Sequence, residues 1–273
     1  MNNRLSILPV LLAAVLLVGC AGDEFVADKQ SAEELHSMAM HAMDAGQFER
    51  AANIFDELDR MYPYSELATN AQMMAGYAHY KNLKYTKAIA ALETFLQLHP
   101  GNKDAPYAQY MLALCYYEQI YNVKRDQKMA TYALDAFTEL VRRFPSSKYT
   151  KDAKYKIDLT RDHLAGKEMD IGRFYLRHGG VVSAINRFRT VVKHYHMTSH
   201  VQEALHRLVE SFLLLGMKDE AMAAAAVLGH NYPGSEWYAD SYLLLQGEDF
   251  RLEEHKDDGR SWMKRLLGKR IDG

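Results

Sequence analysis

The chain has 273 residues, with 33 lysines and arginines against 35 aspartates and glutamates. That near balance argues against bulk binding of nucleic acid, and two cysteines cannot build a disulfide framework. The part left after an N-terminal export signal, 254 residues, is large for one hydrophobic core, a problem that repeated units packing only on their neighbours avoid.

Arg4 gives a short positive start, and Ile7 to Val18 is an almost unbroken apolar run. Twelve helical residues rise only ~18 Å, too little for a ~30 Å hydrocarbon core. A short apolar run before small residues reads as a signal to be removed. Leu17-Val18-Gly19-Cys20 resembles the lipobox of bacterial lipoproteins, whose cysteine is acylated and becomes the new N-terminus. Residues 1–19 are therefore expected to be cleaved, with Cys20 the lipid attachment site and 20–30 a flexible lipidated linker. Ala21 is not the aspartate that often retains such proteins in the inner membrane, so the resemblance implies the outer membrane, periplasmic face. Acyl chains at ~0.8 kcal/mol per buried methylene anchor stably without a transmembrane helix. Apart from that acyl/diacylglycerol modification, no cofactor is expected. Cys115 sits in the helical run Leu112 to Tyr116 and reads as an inert core residue.

Proline marks a period at Tyr62-Pro63, His99-Pro100, Phe144-Pro145 and Tyr232-Pro233. Twelve positions before each stands an alanine: Ala51, Ala88, Ala133 and Ala221. Ala184 keeps the register, with His196 in the proline's place. Four positions on come Phe55, Leu92, Phe137, Phe188 and Ala225. A small residue where two helices cross, with a large one beside it, is similar to the second helix of the tetratricopeptide repeat. In the first helices the small position falls on Ala39, Gly76, Ala113 and Gly172, with Val209 the exception. Gly46, Gly179-Gly180 and Gly216 mark turns between helices. The alanine spacings of 37, 45, 51 and 37 exceed the ~34 residues of a standard repeat. The excess falls in three places: after each proline, in a polar loop around Asn122 to Met129, and ahead of the fourth repeat. There, Tyr149 to His178 holds no proline and predicts one long helix, a break near Gly166 being the alternative. Ser235 to Gln246 should cap the last repeat. The fold expected is all-α: a right-handed α-solenoid of about five tetratricopeptide-like hairpins with a C-terminal capping helix, over 31–247.

Beyond Gly247 the character changes. Asp249, Glu253, Glu254, Asp257 and Asp258 precede Lys264, Arg265, Lys269 and Arg270, while Trp262, Met263, Leu266, Leu267 and Ile271 form an apolar stripe at helical spacing. Residues 248–273 read either as an amphipathic helix that docks on a partner or an anionic membrane surface, or as a disordered tail.

Several segments, in this order, resemble the BamD (ComL) family of the outer-membrane β-barrel assembly machinery. They are Arg60 to Ser65, Ala78 to Asn82, Phe144 to Tyr149, Glu168 to Tyr175, Ala184 to Arg189 and Tyr232 to Tyr238. The resemblance implies a non-catalytic scaffold. Its 148–247 half would bind the POTRA domains of BamA, and its 31–147 half would receive unfolded outer-membrane proteins. Other Bam lipoproteins are implied partners, with the lipid anchor as the membrane contact and no nucleic acid or small-molecule substrate.

First helices line the concave groove of such repeats. The register puts His36, Met40 and Met43 there from repeat one; Asn70, Met73, Tyr77 and Tyr80 from repeat two; and Tyr107, Tyr110, Leu114 and Tyr117 from repeat three. Tyrosine and methionine give large contact area with little directional demand, which suits many related apolar segments. Repeat four places Arg173, Leu176 and Arg177 inward, and its second helix carries Arg187 and Arg189, about 200° apart and so unable to face one partner together. Arg187 is the preferred contact for an acidic patch on BamA, with Arg173 and Arg177 beside it. Ordinary inter-repeat core and solvated surface charge are the plainer readings of these same residues. His194, His196 and His200 cluster without a suitably spaced carboxylate, so no metal is expected. No His-Glu-x-x-His, Gly-x-Ser-x-Gly or phosphate-binding glycine loop is present. A cell-wall hydrolase therefore lacks a candidate carboxylate, and a periplasmic repeat scaffold for cell-wall or envelope-constriction proteins is the competing function.

Overall fold

The structure is a computed structural model and describes residues 30–246. The export signal, Cys20, most of the linker and the tail beyond Gln246 lie outside the described residues. Those described form eleven helices and no strand: α1 (Ala32–Asp44), α2 (Phe48–Met61), α3 (Glu66–Lys81), α4 (Tyr85–Leu98), α5 (Ala105–Tyr117), α6 (Lys128–Arg143), α7 (Thr150–Arg177), α8 (Val181–His194), α9 (Val201–Leu214), α10 (Lys218–Asn231) and α11 (Glu236–Gln246). They are five hairpins in series followed by one more helix, the tetratricopeptide-like order that the proline and alanine period predicts.

Short-range chemistry sets the ends. Proline has no N–H to donate and disfavours helical backbone in the residue before it, so the second helices stop one residue short of each Tyr-Pro, His-Pro or Phe-Pro pair. Tyr62, His99, Phe144 and Tyr232 end them with φ from −126 to −139° and ψ from 53 to 59°. Tyr195 does the same without a proline, at φ −128° and ψ 32°. Its N–H bonds Val191 and its carbonyl accepts from Thr198, as Tyr62 bonds Leu58 and Ser65. His196 thus leaves the turn intact. Ser31 and Glu34 close a reciprocal capping box on α1.

The turns inside hairpins need a left-handed residue. Gly46, Gly179 and Gly216 supply φ of 71, 79 and 76°. The α3–α4 turn has the same hydrogen bonds, Leu83 N–H to Tyr80 and Lys84 N–H to His79, but holds Leu83 at φ 59°. A side chain there costs about 1–2 kcal/mol.

The described residues up to Ala78 and those from His79 onward form two compact units. In the first, Leu35, Ala39, Ala51, Phe55 and Leu58 are fully buried together between α1 and α2. In the second, Phe137 and Leu140 anchor one cluster, and Met169, Leu176, Phe188 and Val209 another. All five crossing alanines are completely buried. Gly172 shows why the crossing must be small: a Cβ there would sit 2.4 Å from the Phe188 ring.

The long helix forms without a break. α7 runs 28 residues through Gly166, ~42 Å, and packs on both α6 and α8. Gly166 is buried, and a Cβ on it would lie 3.2 Å from His200 and 3.7 Å from Val123 of the long α5–α6 loop. A glycine costs ~1 kcal/mol in a helix interior; here it makes room for two neighbouring segments. No described helix is long and apolar enough to cross a membrane.

Candidate binding surfaces

The first unit carries six of the residues assigned to a groove. His36 Nε2 is 2.9 Å from Asn70 Oδ1, and its ring lies edge-on to Phe55. Met40 and Met43 are half-buried, flanking the core while keeping exposed surface. Tyr77 is half-buried. Met73 is 7 % exposed, an interior residue rather than a groove liner, because α3 turns that side chain inward.

The other five lie in the second unit. Tyr80 meets Tyr85 edge-on at 5.9 Å. Tyr107 and Tyr110 both pack on Tyr149, the latter stacked at 5.0 Å. Tyr110 donates to Asp152 Oδ2 at 2.6 Å, and burial, then that carboxylate, push its phenol above the ordinary tyrosine range. Leu114 and Tyr117 flank the Phe137 cluster, and the Lys156 ammonium sits 5.4 Å from the Tyr117 ring centre. Four tyrosines, a carboxylate and an ammonium thus share one half-buried face of α5 and α7. Tyr149, Asp152 and Lys156 join this face from the first turns of α7, which the repeat register, anchored on Gly172 near the helix's far end, does not cover.

The cations of repeat four are mostly held. Arg173 bonds both Glu203 oxygens, at 3.1 and 2.9 Å, and Arg187 reaches Glu168 at 3.1 Å. Arg187 keeps 43 % of its side chain exposed. Arg177 is exposed, and Arg189 lies over Phe212 at 5.4 Å, so Arg187 and Arg189 do point to different neighbours. Leu176 is a correction. It is 1 % exposed and packs in the core, since α7 turns it toward α8 while Arg177 faces out.

A buried polar network ties this region together, and the residue spacing did not signal it. In α9, His206 Nε2 is 3.0 Å from Glu210 Oε1, and Arg207 Nη1 donates to both Glu210 oxygens at 3.1 and 2.9 Å. Arg207 Nε reaches Glu203, which also accepts from Arg173 of α7. His206 Nδ1 lies 2.9 Å from Ser241 Oγ on α11, whose hydroxyl donates to the Trp237 carbonyl. Burial alone would raise the Glu210 carboxyl, but Arg207 and then His206 overcome it and hold the group at about 2. The sequence sign is the set of polar residues at 203, 206, 207, 210 and 211 among the apolar positions of α9.

Among the described residues no group of three or more histidines, cysteines or carboxylates stands ready for a metal. His194 and His196 are exposed, and His200 Nε2 lies 3.6 Å from Asp162. The half-buried tyrosines and methionines and the paired charges of repeat four lie at surfaces, whereas the His206–Arg207–Glu210 network is interior.

A family model described as an outer membrane lipoprotein, YfiO, matches residues 28–228. "Outer membrane protein assembly factor BamD" of Caulobacter vibrioides is 42% identical over 266 residues, 95% of this chain and 87% of that one. The protein of the same name in Rickettsia prowazekii is 39% identical over 242 residues, 86% of this chain and 96% of that one. Its counterpart in Neisseria meningitidis serogroup A is 31% identical over 230 residues, 81% and 86% of the two chains. Among solved structures, the tetratricopeptide protein YrrB is 15% identical with a TM-score of 0.36, covering 78% of this chain and 92% of that one. At that distance the likeness adds nothing to the helical order already described. The matches to the family model and to the BamD relatives span most of the chain, which therefore belongs to the YfiO (BamD) family of outer-membrane lipoproteins.

Proposed function

We propose that this chain is a non-catalytic scaffold in outer-membrane protein assembly, tethered by acyl chains on Cys20 to the periplasmic face of the outer membrane. In this reading it accepts unfolded outer-membrane proteins and docks on the POTRA domains of the insertase BamA, alongside other Bam lipoproteins. The observation that carries the reading is the 42% identity over 95% of the chain to a protein named as an assembly factor. The surfaces support it. Half-buried Met40, Met43, Tyr77, Tyr80, Tyr107 and Tyr117 offer apolar contact area with little directional demand, as a receiver of many related segments needs. Exposed Arg177, and Arg187, which keeps exposed surface beside its Glu168 pair, are cationic groups an acidic partner could approach.

The test is co-purification from detergent-solubilised envelopes, followed by mass spectrometry, with wild type, Arg177→Glu and Arg187→Ala. The neutral change at Arg187 avoids placing a second carboxylate against Glu168. Recovery of BamA with wild type, weakened several-fold by either variant, supports both the role and the repeat-four interface. Recovery unchanged in both variants keeps the role and moves the interface. Division or cell-wall proteins without BamA would replace this function with the envelope-constriction scaffold. Alanine or serine at Cys20 should release the protein from the membrane fraction.

A further inference from the structure

One helix of the second unit is apolar on two sides. The run Ala221 to Leu228 in α10 contains no polar residue. Its inner side, Ala221, Ala224, Ala225 and Leu228, is buried against the neighbouring helices. Its outer side is exposed, with Met222 at 52 % and Val227 at 45 %, and Ala223 and Ala226 between them. A helix hydrophobic all round normally has a partner all round. The equivalent helices of the same unit do not share this feature. At the second, fifth and sixth positions after the crossing alanine, α4 carries Ala90, Glu93 and Thr94, α6 carries Asp135, Thr138 and Glu139, and α8 carries Asn186, Arg189 and Thr190. α10 carries Ala223, Ala226 and Val227 there.

The same chain holds a segment of matching chemistry. Residues 261–271 place Trp262, Met263, Leu266, Leu267 and Ile271 at helical spacing, with Lys264, Arg265 and Lys269 outside that stripe and Arg270 within it. We propose that this segment, which lies outside the described residues, docks on the outer side of α10. Large tail side chains would sit over Ala223 and Ala226, small against large, which is how packed helices interdigitate. The charges agree: Asp219 and Glu220 are exposed at the N-terminal end of α10, with Lys218 beside them, against four cations in the tail. Reach is sufficient. α11 packs on α10, so the chain leaves Gln246 from a helix that already touches α10. The fourteen residues from 247 to 260 extend to ~45 Å, twice the ~21 Å length of α10. A tether of that length also keeps the segment at an effective concentration near millimolar, which favours it over a separate partner. The inference does not rest on the assembly role.

The test uses the full lipidated chain in detergent. Cysteine pairs combining Ala223→Cys or Ala226→Cys with Leu266→Cys or Leu267→Cys are oxidised mildly and run on a non-reducing gel. An intramolecular cross-link in at least one pair, absent from the single-cysteine controls, is expected. Only intermolecular dimers would overturn the proposal in favour of contact between copies, and no cross-link in any pair would overturn it outright. Hydrogen exchange provides a second readout. Residues 261–271 should exchange at least tenfold slower than an unstructured peptide, and Ala226→Glu should abolish that protection while α7 to α9 stay protected. Protection that survives Ala226→Glu would assign the segment to the detergent or lipid surface instead.

Discussion

Glu210 is the residue whose removal should cost the second unit most. It is 2 % exposed and accepts from both His206 and Arg207, themselves 4 % exposed. Glu210→Ala leaves the buried Arg207 guanidinium with only the longer Glu203 contact, a loss of about 3 kcal/mol, at the low end for breaking a buried pair. Protonation acts on the same network: Arg207 and then His206 hold the carboxyl well below the ordinary carboxylate range despite its burial. The folded-state value is the lower one, so the stabilisation is fully present above pH ~4.5 and is lost as pH falls toward 2. Urea unfolding followed by circular dichroism at pH 7, 5, 4 and 3 measures both effects. Wild type should lose stability steeply below pH 4.5, whereas Glu210→Gln should start lower and fall less steeply. A cost below 1 kcal/mol for Glu210→Ala at pH 7, or identical acid slopes in wild type and Glu210→Gln, would refute the account.

Three further outcomes follow from the packing. Gly172→Ala should lose about 2 kcal/mol or more, because its Cβ meets the fully buried Phe188 ring; Phe188→Leu in the same chain should recover part of the lost melting temperature. Leu83→Gly should gain about 0.5–1 kcal/mol and raise the melting temperature by a few degrees, since φ 59° strains a side chain that is 69 % exposed and contributes little packing. Unchanged or lower stability would mean the turn is not strained. The Cys115 thiol, pushed up to about 12 mainly by burial, should stay unreactive toward a disulfide reagent at pH 8 in the native protein and react fully in urea. Rapid native reaction would show that α5 opens.

The sequence by itself determined the helices, their order and their crossings, because those depend on neighbours within one turn. A proline ends a helix just before it, a glycine supplies the left-handed turn, and a small residue marks most points where two helices cross, Val209 being the exception. Those signals located α7 and α11 to within a residue or two. The pattern did not show that Leu83 fills a glycine's place, since nothing local marks a leucine at positive φ. Only the tertiary structure decided which side chains meet across the array. Met73 and Leu176 had the surface register but turned inward, because small differences in helix rotation choose between groove and core. Arg173 with Glu203 and His206 with Ser241 are 30 and 35 residues apart, and Tyr110 with Asp152 42 apart. Such pairs exist only once stacked helices bring their faces together, and a one-residue change in any intervening loop would move them apart. The period of a repeat protein is written locally; its polar contacts are set by the stacking of one repeat on the next.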